Sequence, residues 1–332
     1  MPPVFTPTDN KRTIRRQWNA PLLSFLKEHF NRKLVYFGLP SPKAEDIDDW
    51  IDFIDYVIAF QCRNYPLPSD PSQDDAPVRE LELKLNNLMR KKRIIDFQLY
   101  DGYIEEVIIN GKDNDNLKFD LRNFITLYNL DFCNEITIPQ TIINQTTGNE
   151  ETVYKLHVIK KIIDIQRQNN SIPFKFVLFL TVKANFWQIE ANDYLKCVKN
   201  DPIYGKYLEA INNLSGIDRS VRILRAYIFQ TLTGLLCANS YIPEFLPVVM
   251  YHGSGPHILA QFSIICTHEE TIGRTALSRQ NPIRFLNQGF LVPDSENNLI
   301  RTRSFNAIGE INPPSNPIEL FTNSDVHDQF WK

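Results

Sequence analysis

The sequence LVYFGLPSPKAEDIDDW, residues 34–50, decides how the chain begins its fold. Its first five residues are apolar or aromatic and end at Gly38, a pattern that predicts a strand followed by a turn. Four acids between residues 45 and 49 then crowd the start of a segment with helical spacing, and acids stabilise the N-terminus of a helix. The stretch therefore predicts a strand, a turn and a helix, an arrangement that many α/β proteins use to bind a nucleotide.

Strand-like and helical patterns continue to alternate after this stretch. Strand-like runs lie at residues 56–60, 94–102, 119–136 and 173–184, with helical patterns at 43–54, 78–93 and 153–170. Alternation of this kind predicts a parallel sheet with helices on both faces. Two apolar runs, 245–252 and 257–268, are joined by a short Gly/Pro link and predict an antiparallel hairpin. The predicted fold class is therefore α/β and Rossmann-like, with a mostly parallel seven-stranded sheet and an antiparallel C-terminal hairpin.

Composition divides the chain into three parts. Residues 1–33 hold seven lysines and arginines against two acids, a net charge of +5, and predict a basic N-terminal helical segment. Residues 34–270 form the predicted main domain, with a helical insertion at about 185–243 and a polar loop at 139–152. Residues 271–332 are the predicted C-terminal extension, and its last part, 303–332, is acidic and rich in proline and asparagine.

Composition also excludes several kinds of protein and site. The formal net charge of −3 excludes a generally basic nucleic-acid coat, although Arg90, Lys91, Lys92 and Arg93 form a local basic run. The five cysteines are scattered without a C-x-x-C pair, so we expect no metal site, reduced thiols and a cytoplasmic location. No run reaches the ~20 apolar residues of a membrane span, and no secretory signal is visible. The sequence also lacks the signatures of P-loop ATPases, serine hydrolases and zinc proteases.

From about residue 30 to residue 270, the order of elements resembles that of the class I S-adenosylmethionine-dependent methyltransferases. The matching motifs are YFGLPSP after the first strand, VIAFQ at the second, YDG after the third and NLDFCN after the fourth. The pairing of YFGLP with LYNLDFC is also similar to an uncharacterised bacterial methyltransferase-like group. The resemblance implies S-adenosylmethionine as cofactor and methyl transfer to an unknown acceptor. The first motif is degenerate, because it has one glycine where the family usually has two or three.

The same resemblance implies which residues form the site. The implied cofactor-binding residues follow the first three strands: Gly38, Leu39, Pro40, Gln61, Asp101 and Gly102. Gln61 stands where the family has an acid that bonds the ribose hydroxyls, at about the expected spacing of 20 residues from the glycine turn. The implied catalytic residues, Asp131 and Asn129, lie at the end of the fourth strand, where open α/β sheets place ligands. Asp131 would orient or deprotonate the methyl acceptor.

These assignments have structural alternatives. Asp131 also fits a residue that caps a turn, and Gly38 and Asp101 also fit ordinary turn formers. The basic run 90–93 either contacts phosphates or ends a helix in solvent. The missing glycines and the uncharged Gln61 favour a second hypothesis, a non-catalytic methyltransferase-like module. Such a module would bind a partner protein or nucleic acid through the basic N-terminal segment, the run 90–93 and the acidic tail.

Overall fold

The computed structural model shows two compact units. It describes residues 9–63, 76–121, 124–132, 134–145, 147–168, 175–184, 202–253, 257–269, 285–286 and 288–302. The first unit comprises Met1–Pro7, Leu23–Asp131 and Ile136–Pro173, and the second comprises Thr8–Leu22, Phe132–Glu135 and Phe174–Lys332. The predicted acidic tail, 303–332, and residues 185–201 of the predicted helical insertion lie outside the described residues.

Within the described residues, every helix except Ile104–Asn110 overlaps a predicted helical segment. In chain order they are α1 (Asp9–Ile14), α2 (Ala20–Phe30), α3 (Glu45–Trp50), α4 (Ala76–Arg90), α5 (Ile104–Asn110), α6 (Lys155–Gln168), α7 (Pro202–Ala210) and α8 (Gly216–Ala238). A π-helical turn, Arg15–Asn19, joins α1 to α2. Helix α4 shows the usual reason for helix formation, since Leu81, Leu85 and Leu88 recur at helical spacing and are buried.

Four parallel strands form the main sheet of the first unit. They are β1 (Leu34–Gly38), β2 (Ile54–Gln61), β3 (Asp96–Asp101) and β4 (Leu127–Asp131), in the order β4-β1-β2-β3. Gly38 is aligned with Ala59 on one side and with Asn129 on the other, while Gln61 is aligned with Asp101. The chain passes from β1 outward to β3 and then returns to the other side of β1 at β4. The carboxyl ends of β1 and β4 are therefore a topological switch point, where sheets of this kind bind ligands.

The second unit is organised around one long strand, β10 (Ile258–His268). One edge of β10 pairs antiparallel with β7 (Lys175–Lys183), and the other pairs antiparallel with β8 (Tyr241–Phe245) and β9 (Val249–His252). The predicted hairpin is therefore confirmed as β9 and β10. β11 (Phe290–Pro293) pairs antiparallel with β12 (Leu299–Thr302) and runs parallel to β9. Both strands lie in the predicted extension 271–332, so part of that segment belongs to a sheet.

Helix α8 is the core helix of the second unit. Within the part of the chain that the structure describes, it alone is long and apolar enough to cross a membrane. A buried helix of a globular protein has the same length and composition, and α8 buries ten of its side chains. One of them is Arg225, whose guanidinium donates hydrogen bonds to the carbonyls of Leu286 (3.1 Å) and Gln288 (2.6 Å).

The predicted Rossmann-like α/β fold class is confirmed. The parallel order β4-β1-β2-β3 is that of the first half of a doubly wound sheet. Strand β10, which pairs antiparallel with β7, corresponds to the inserted antiparallel strand that the methyltransferase resemblance implies. The described residues contain ten strands outside the β5–β6 hairpin rather than the predicted seven, because short strands such as β8, β11 and β12 carried no separate signal in the sequence.

Two local predictions need correction. The predicted polar loop 139–152 is wrong, because β5 (Gln140–Ile143) and β6 (Glu150–Val153) form an antiparallel hairpin there. Ile142 and Val153 are buried and their neighbours are polar or exposed, which is the alternation of a strand. Because most residues of the segment are polar, its composition resembled that of a loop. The helix predicted at 43–54 is shorter, since α3 ends at Trp50 and β2 begins at Ile54.

Candidate functional site

The first unit brings four of the sequence-predicted site residues to one edge of its sheet. Gly38, Gln61, Asp101 and Asn129 lie at or near the carboxyl ends of four neighbouring parallel strands. The pairing aligns Gly38 with Asn129 and Gln61 with Asp101. This edge, which we call the carboxyl edge, gathers polar groups from separate parts of the sequence.

Gly38 is required by close packing between two strands. A Cβ atom at this position would lie 2.4 Å from the carbonyl oxygen of Asn129 and 2.8 Å from the hydroxyl of Tyr36. The next backbone N–H, that of Leu39, donates a 3.1 Å hydrogen bond to the same carbonyl. Pro40 is buried and has no N–H. Protein atoms therefore fill the space on the side-chain side of Gly38, and the glycine serves the approach of β4 to β1.

A buried polar network covers this close approach. The Oδ2 atom of Asp46 accepts hydrogen bonds from the hydroxyl of Tyr36 (2.6 Å) and from the amide nitrogen of Asn129 (2.7 Å). The exposed fractions of Tyr36, Asp46 and Asn129 are 0%, 6% and 9%. Burial first, and the charge of Asp46 second, raise the pKa of Tyr36 well above its ordinary value. The tyrosine hydroxyl therefore keeps its proton and remains a donor to Asp46.

Two buried polar atoms, one in the β1–α3 connection and one in the first turn of α3, have no hydrogen-bond partner among the described residues. They are the Oδ1 atom of Asp46 and the Oγ atom of Ser41. A buried polar atom without a partner costs about 1–3 kcal/mol, and such atoms usually meet water or a ligand. The carboxylate can accept a hydrogen bond, and the hydroxyl can donate or accept one. Sequence reasoning missed this role because Asp46 was interpreted only as a helix N-terminal acid.

The second half of the carboxyl edge is dominated by an ion pair. The guanidinium of Arg63 contacts Oδ2 of Asp101 and lies 2.8 Å from Oδ1 of Asp115. Asp101 is 3% exposed, and burial raises the pKa of its carboxyl although the neighbouring Arg63 lowers it. The other oxygen of Asp101, Oδ1, is buried without a partner among the described residues. Arg63 was not predicted, because it follows β2 in a stretch that has no motif.

The remaining predicted residues have identifiable local roles. The Gln61 side chain donates a 3.2 Å hydrogen bond to the carbonyl of Cys62. Gly102 has a φ of +142°, which favours glycine, and its N–H donates to the carbonyl of Gln61 at 3.1 Å. Asp131 ends β4 in a half-buried position, and its negative charge contributes to the raised pKa of Tyr36. The roles assigned to these residues by resemblance stay predictions.

The carboxyl edge matches some groups of S-adenosylmethionine and not others. The unpartnered atoms of Asp46 and Ser41 suit the cofactor's amino group, and Oδ1 of Asp101 suits a ribose hydroxyl or the adenine amine. Gln61 offers an uncharged partner to the ribose. The side of Gly38 where its Cβ would lie has no room for the cofactor. Within the described ranges, no group of three or more His, Cys, Asp or Glu residues could hold a metal ion.

Comparison with known proteins identifies no family. No protein-family model matches the chain, and no curated protein matches it. Among solved structures, EvdMO1 has 10% identity and a TM-score of 0.33, over 82% of this chain and 44% of that protein. YcgJ from Bacillus subtilis has 7% identity and a TM-score of 0.34, over 75% of this chain and 98% of that protein. An O-methyltransferase from Bacillus cereus, in complex with SAH, has 10% identity and a TM-score of 0.31, over 75% of this chain and 80% of that protein.

With identities of 7–10% and TM-scores of 0.31–0.34, these similarities say nothing about activity. The chain spans less than half of the length of EvdMO1. The fold class rests instead on the strand order and register of the two units. The case for a site rests on the side chains of the carboxyl edge.

Proposed function

We propose that this chain binds S-adenosylmethionine at the carboxyl edge of the first unit and transfers its methyl group to an acceptor. One observation carries the proposal. Buried acceptors without partners lie at the carboxyl edge: Asp46 bonds to Asn129 beside the β1/β4 switch point, and Asp101 ends β3, two strands away from β1. Ligands of open α/β sheets bind at this place. The methyltransferase resemblance of the sequence supplies the identity of the ligand.

Each polar residue of the edge has a role in this proposal. Asp46 and Ser41 hold the amino end of the cofactor, while Gln61 and Asp101 hold its ribose and adenine. When bound, the cofactor supplies an electrophilic methyl group on a sulfonium. Asp131, with Asn129 beside it on β4, orients or deprotonates the acceptor. A cytoplasmic location, consistent with the free thiols of Cys62, Cys237 and Cys266, belongs to the same proposal.

A second candidate function also has an observation in its favour. Arg63 already neutralises Asp101, and Tyr36 fills the space next to Gly38. Both features are expected of a methyltransferase-like module that no longer binds a cofactor and acts by binding a partner. The two candidates differ in whether Arg63 leaves Asp101 when S-adenosylmethionine is added.

Calorimetric titration with S-adenosylmethionine and S-adenosylhomocysteine tests the proposal. We expect micromolar binding of both, weakened about tenfold in Ser41→Ala by loss of one hydrogen bond of about 1.4 kcal/mol. The matched control is Ser24→Ala, whose hydroxyl makes only an exposed contact with Glu28 on α2 and leaves affinity unchanged. Arg63→Gln frees Asp101 and tightens binding. Absence of binding at millimolar ligand, with the protein folded, overturns the proposal in favour of the second candidate.

A further inference from the structure

The amino ends of the same parallel strands carry a basic surface. Two basic segments lie there, one preceding β1 and one preceding β3, and together they contain six cations: Arg32, Lys33, Arg90, Lys91, Lys92 and Arg93. Since parallel strands share a direction, both segments lie at the end of the sheet away from the carboxyl edge. We call these six residues the basic edge.

Contacts with the start of β2 and with the residues just before it hold the two halves of the basic edge together. The Lys33 ammonium donates a 3.3 Å hydrogen bond to the carbonyl of Ile51. The Arg93 guanidinium lies 3.0 Å from a carboxylate oxygen of Asp52. The backbone N–H of Ile95 donates to the carbonyl of Asp55 at 2.7 Å. Because β2 lies between β1 and β3, its start and the residues just before it fix both basic segments beside each other.

The turn at the end of α4 presents its basic side chains to solvent. Backbone amides of Lys91, Lys92 and Arg93 donate to carbonyls of the last helical turn, so the backbone itself caps the helix. Lys92 adopts a left-handed conformation, with a φ of 56°, that reverses the chain there. The side chains of Arg90, Lys91 and Lys92 are exposed and have no ion-pair or hydrogen-bond partner among the described residues. Folding therefore does not require these three charges.

We propose that the basic edge binds the phosphodiester backbone of a nucleic acid. Six cations stand against three acids at this end of the strands, Asp52, Asp55 and Asp96, which leaves a local charge of +3 in a chain whose net charge is −3. The starts of β1 and β3 are two strand spacings apart, about 10 Å, so the charges form a row rather than a point. A row of cations suits a repeating polyanion. Arginine guanidinium groups add planar donors that match phosphate oxygens.

Other polyanionic surfaces fit this geometry less well. A membrane would need an apolar face beside the charges, whereas Ile95, which is 71% exposed, is the one large apolar side chain exposed between Arg90 and Asp96. A single phosphate is bound by one compact set of donors, whereas these cations come from two segments about 10 Å apart. The proposal does not depend on cofactor binding, because it concerns the opposite end of the strands.

The test measures fluorescence anisotropy of a labelled 20-base-pair DNA and an RNA duplex of the same sequence, with the full chain and no cofactor. We expect binding that weakens with salt and a log–log slope of about −3 to −5, as for three to five phosphate contacts. The variant Lys91→Glu/Lys92→Glu should bind at least tenfold more weakly, with a slope smaller by about 2. The control Lys118→Glu/Lys161→Glu changes the net charge equally at exposed sites on other elements and should keep most of the affinity.

The result distinguishes this surface from general electrostatics. Equal losses in the two double variants would overturn the proposal, because binding would then follow net charge alone. Absence of binding to either duplex at 50 mM salt overturns it as well. Binding to phosphatidylserine vesicles that depends on Lys91 and Lys92, with no binding to nucleic acid, assigns the basic edge to a membrane instead. Circular dichroism of each variant should show a retained fold, because the substituted residues are exposed.

Discussion

The two ends of the parallel strands in the first unit differ in both charge and pairing. At the carboxyl edge, acidic and polar side chains are buried and bonded to one another, as Asp46 is to Tyr36 and Asn129. At the basic edge, the side chains of Arg90, Lys91 and Lys92 are exposed, and folding does not require their charges. Stability therefore depends on the first set of residues, and the second set is free to serve binding.

The two edges also show that the missing hydrogen-bond partner of a polar group indicates a binding site only when the group is buried. An exposed lysine is solvated, so the absence of a protein partner costs almost nothing. A buried carboxylate oxygen without a partner costs free energy in every folded molecule. Atoms Oδ1 of Asp46 and Oδ1 of Asp101 are of the second kind, which is why the cofactor proposal rests on them.

The largest expected effect is that of Gly38→Ala at the carboxyl edge. The new Cβ would lie 2.4 Å from a backbone oxygen that cannot move without shifting β4. Overpacking of this kind should destabilise the protein by about 3 kcal/mol, measured as the free energy of unfolding in urea. The control Gly234→Ala lies in α8, where a Cβ meets no atom within 4 Å, and should stabilise the protein by about 0.5–1 kcal/mol. A Gly38→Ala variant as stable as the wild type would refute the close approach of β1 and β4.

A smaller effect is expected for Tyr36→Phe, which removes one donor from Asp46. The buried carboxylate then keeps a single hydrogen bond to Oδ2, from Asn129, and the free energy of unfolding should fall by about 1–2 kcal/mol. A double-mutant cycle with Asp46→Asn measures the coupling between the two side chains. Tyr56→Phe is the matched control, because that hydroxyl makes a longer, exposed contact of 3.4 Å with Asp96. Equal losses in Tyr36→Phe and Tyr56→Phe would mean that the network contributes no more than a surface contact.

The smallest effect concerns the pH dependence of stability. Burial raises the pKa of Asp101, so the folded state holds this proton to a higher pH than the unfolded state does. The stability that Asp101 contributes is therefore greatest below its ordinary pKa of 3.8 and decreases as the pH rises toward the raised folded value. Melting temperatures of the wild type and Asp101→Asn, measured between pH 3 and pH 7, should show a fall with pH that is shallower in the variant.

A control at the other edge sharpens this prediction. Asp52→Asn removes an acid whose side chain is 80% exposed, so the variant should keep the wild-type profile. The prediction fails if Asp101→Asn keeps the full pH dependence. It also fails if the melting temperature of the wild type rises with pH in this range and the Asp101→Asn substitution removes that rise.

The sequence predicted those features that depend on local patterns. β1, β2 and the hairpin of β9 and β10 follow from short apolar runs bounded by turn residues. The hairpin of β5 and β6 was missed because its strands are mostly polar and only Ile142 and Val153 are buried. A polar surface hairpin has the composition of a loop, so composition alone could not separate the two.

The sequence predicted where the residues of the candidate site lie, at the ends of strands, but not which side chains they contact. Gly38, Gln61 and Asp101 each end a strand, Asn129 lies two residues before the end of β4, and parallel strands bring their ends together. The partners of these residues depend on tertiary packing, since 83 residues separate Asp46 from Asn129 and 38 separate Arg63 from Asp101. No local pattern specifies such pairs, so the network at Gly38 and the ion pair at Asp101 emerged only from the structure.

Hydrogen exchange with and without S-adenosylhomocysteine tests the central claim most directly, because it locates the ligand. At saturating ligand, the account predicts slower exchange in peptides covering residues 38–46 and 99–104, from the carboxyl edge. Peptides covering residues 90–95, at the basic edge, should exchange at an unchanged rate. Protection confined to the basic edge or to the second unit would contradict the account, as would unchanged exchange throughout at millimolar ligand.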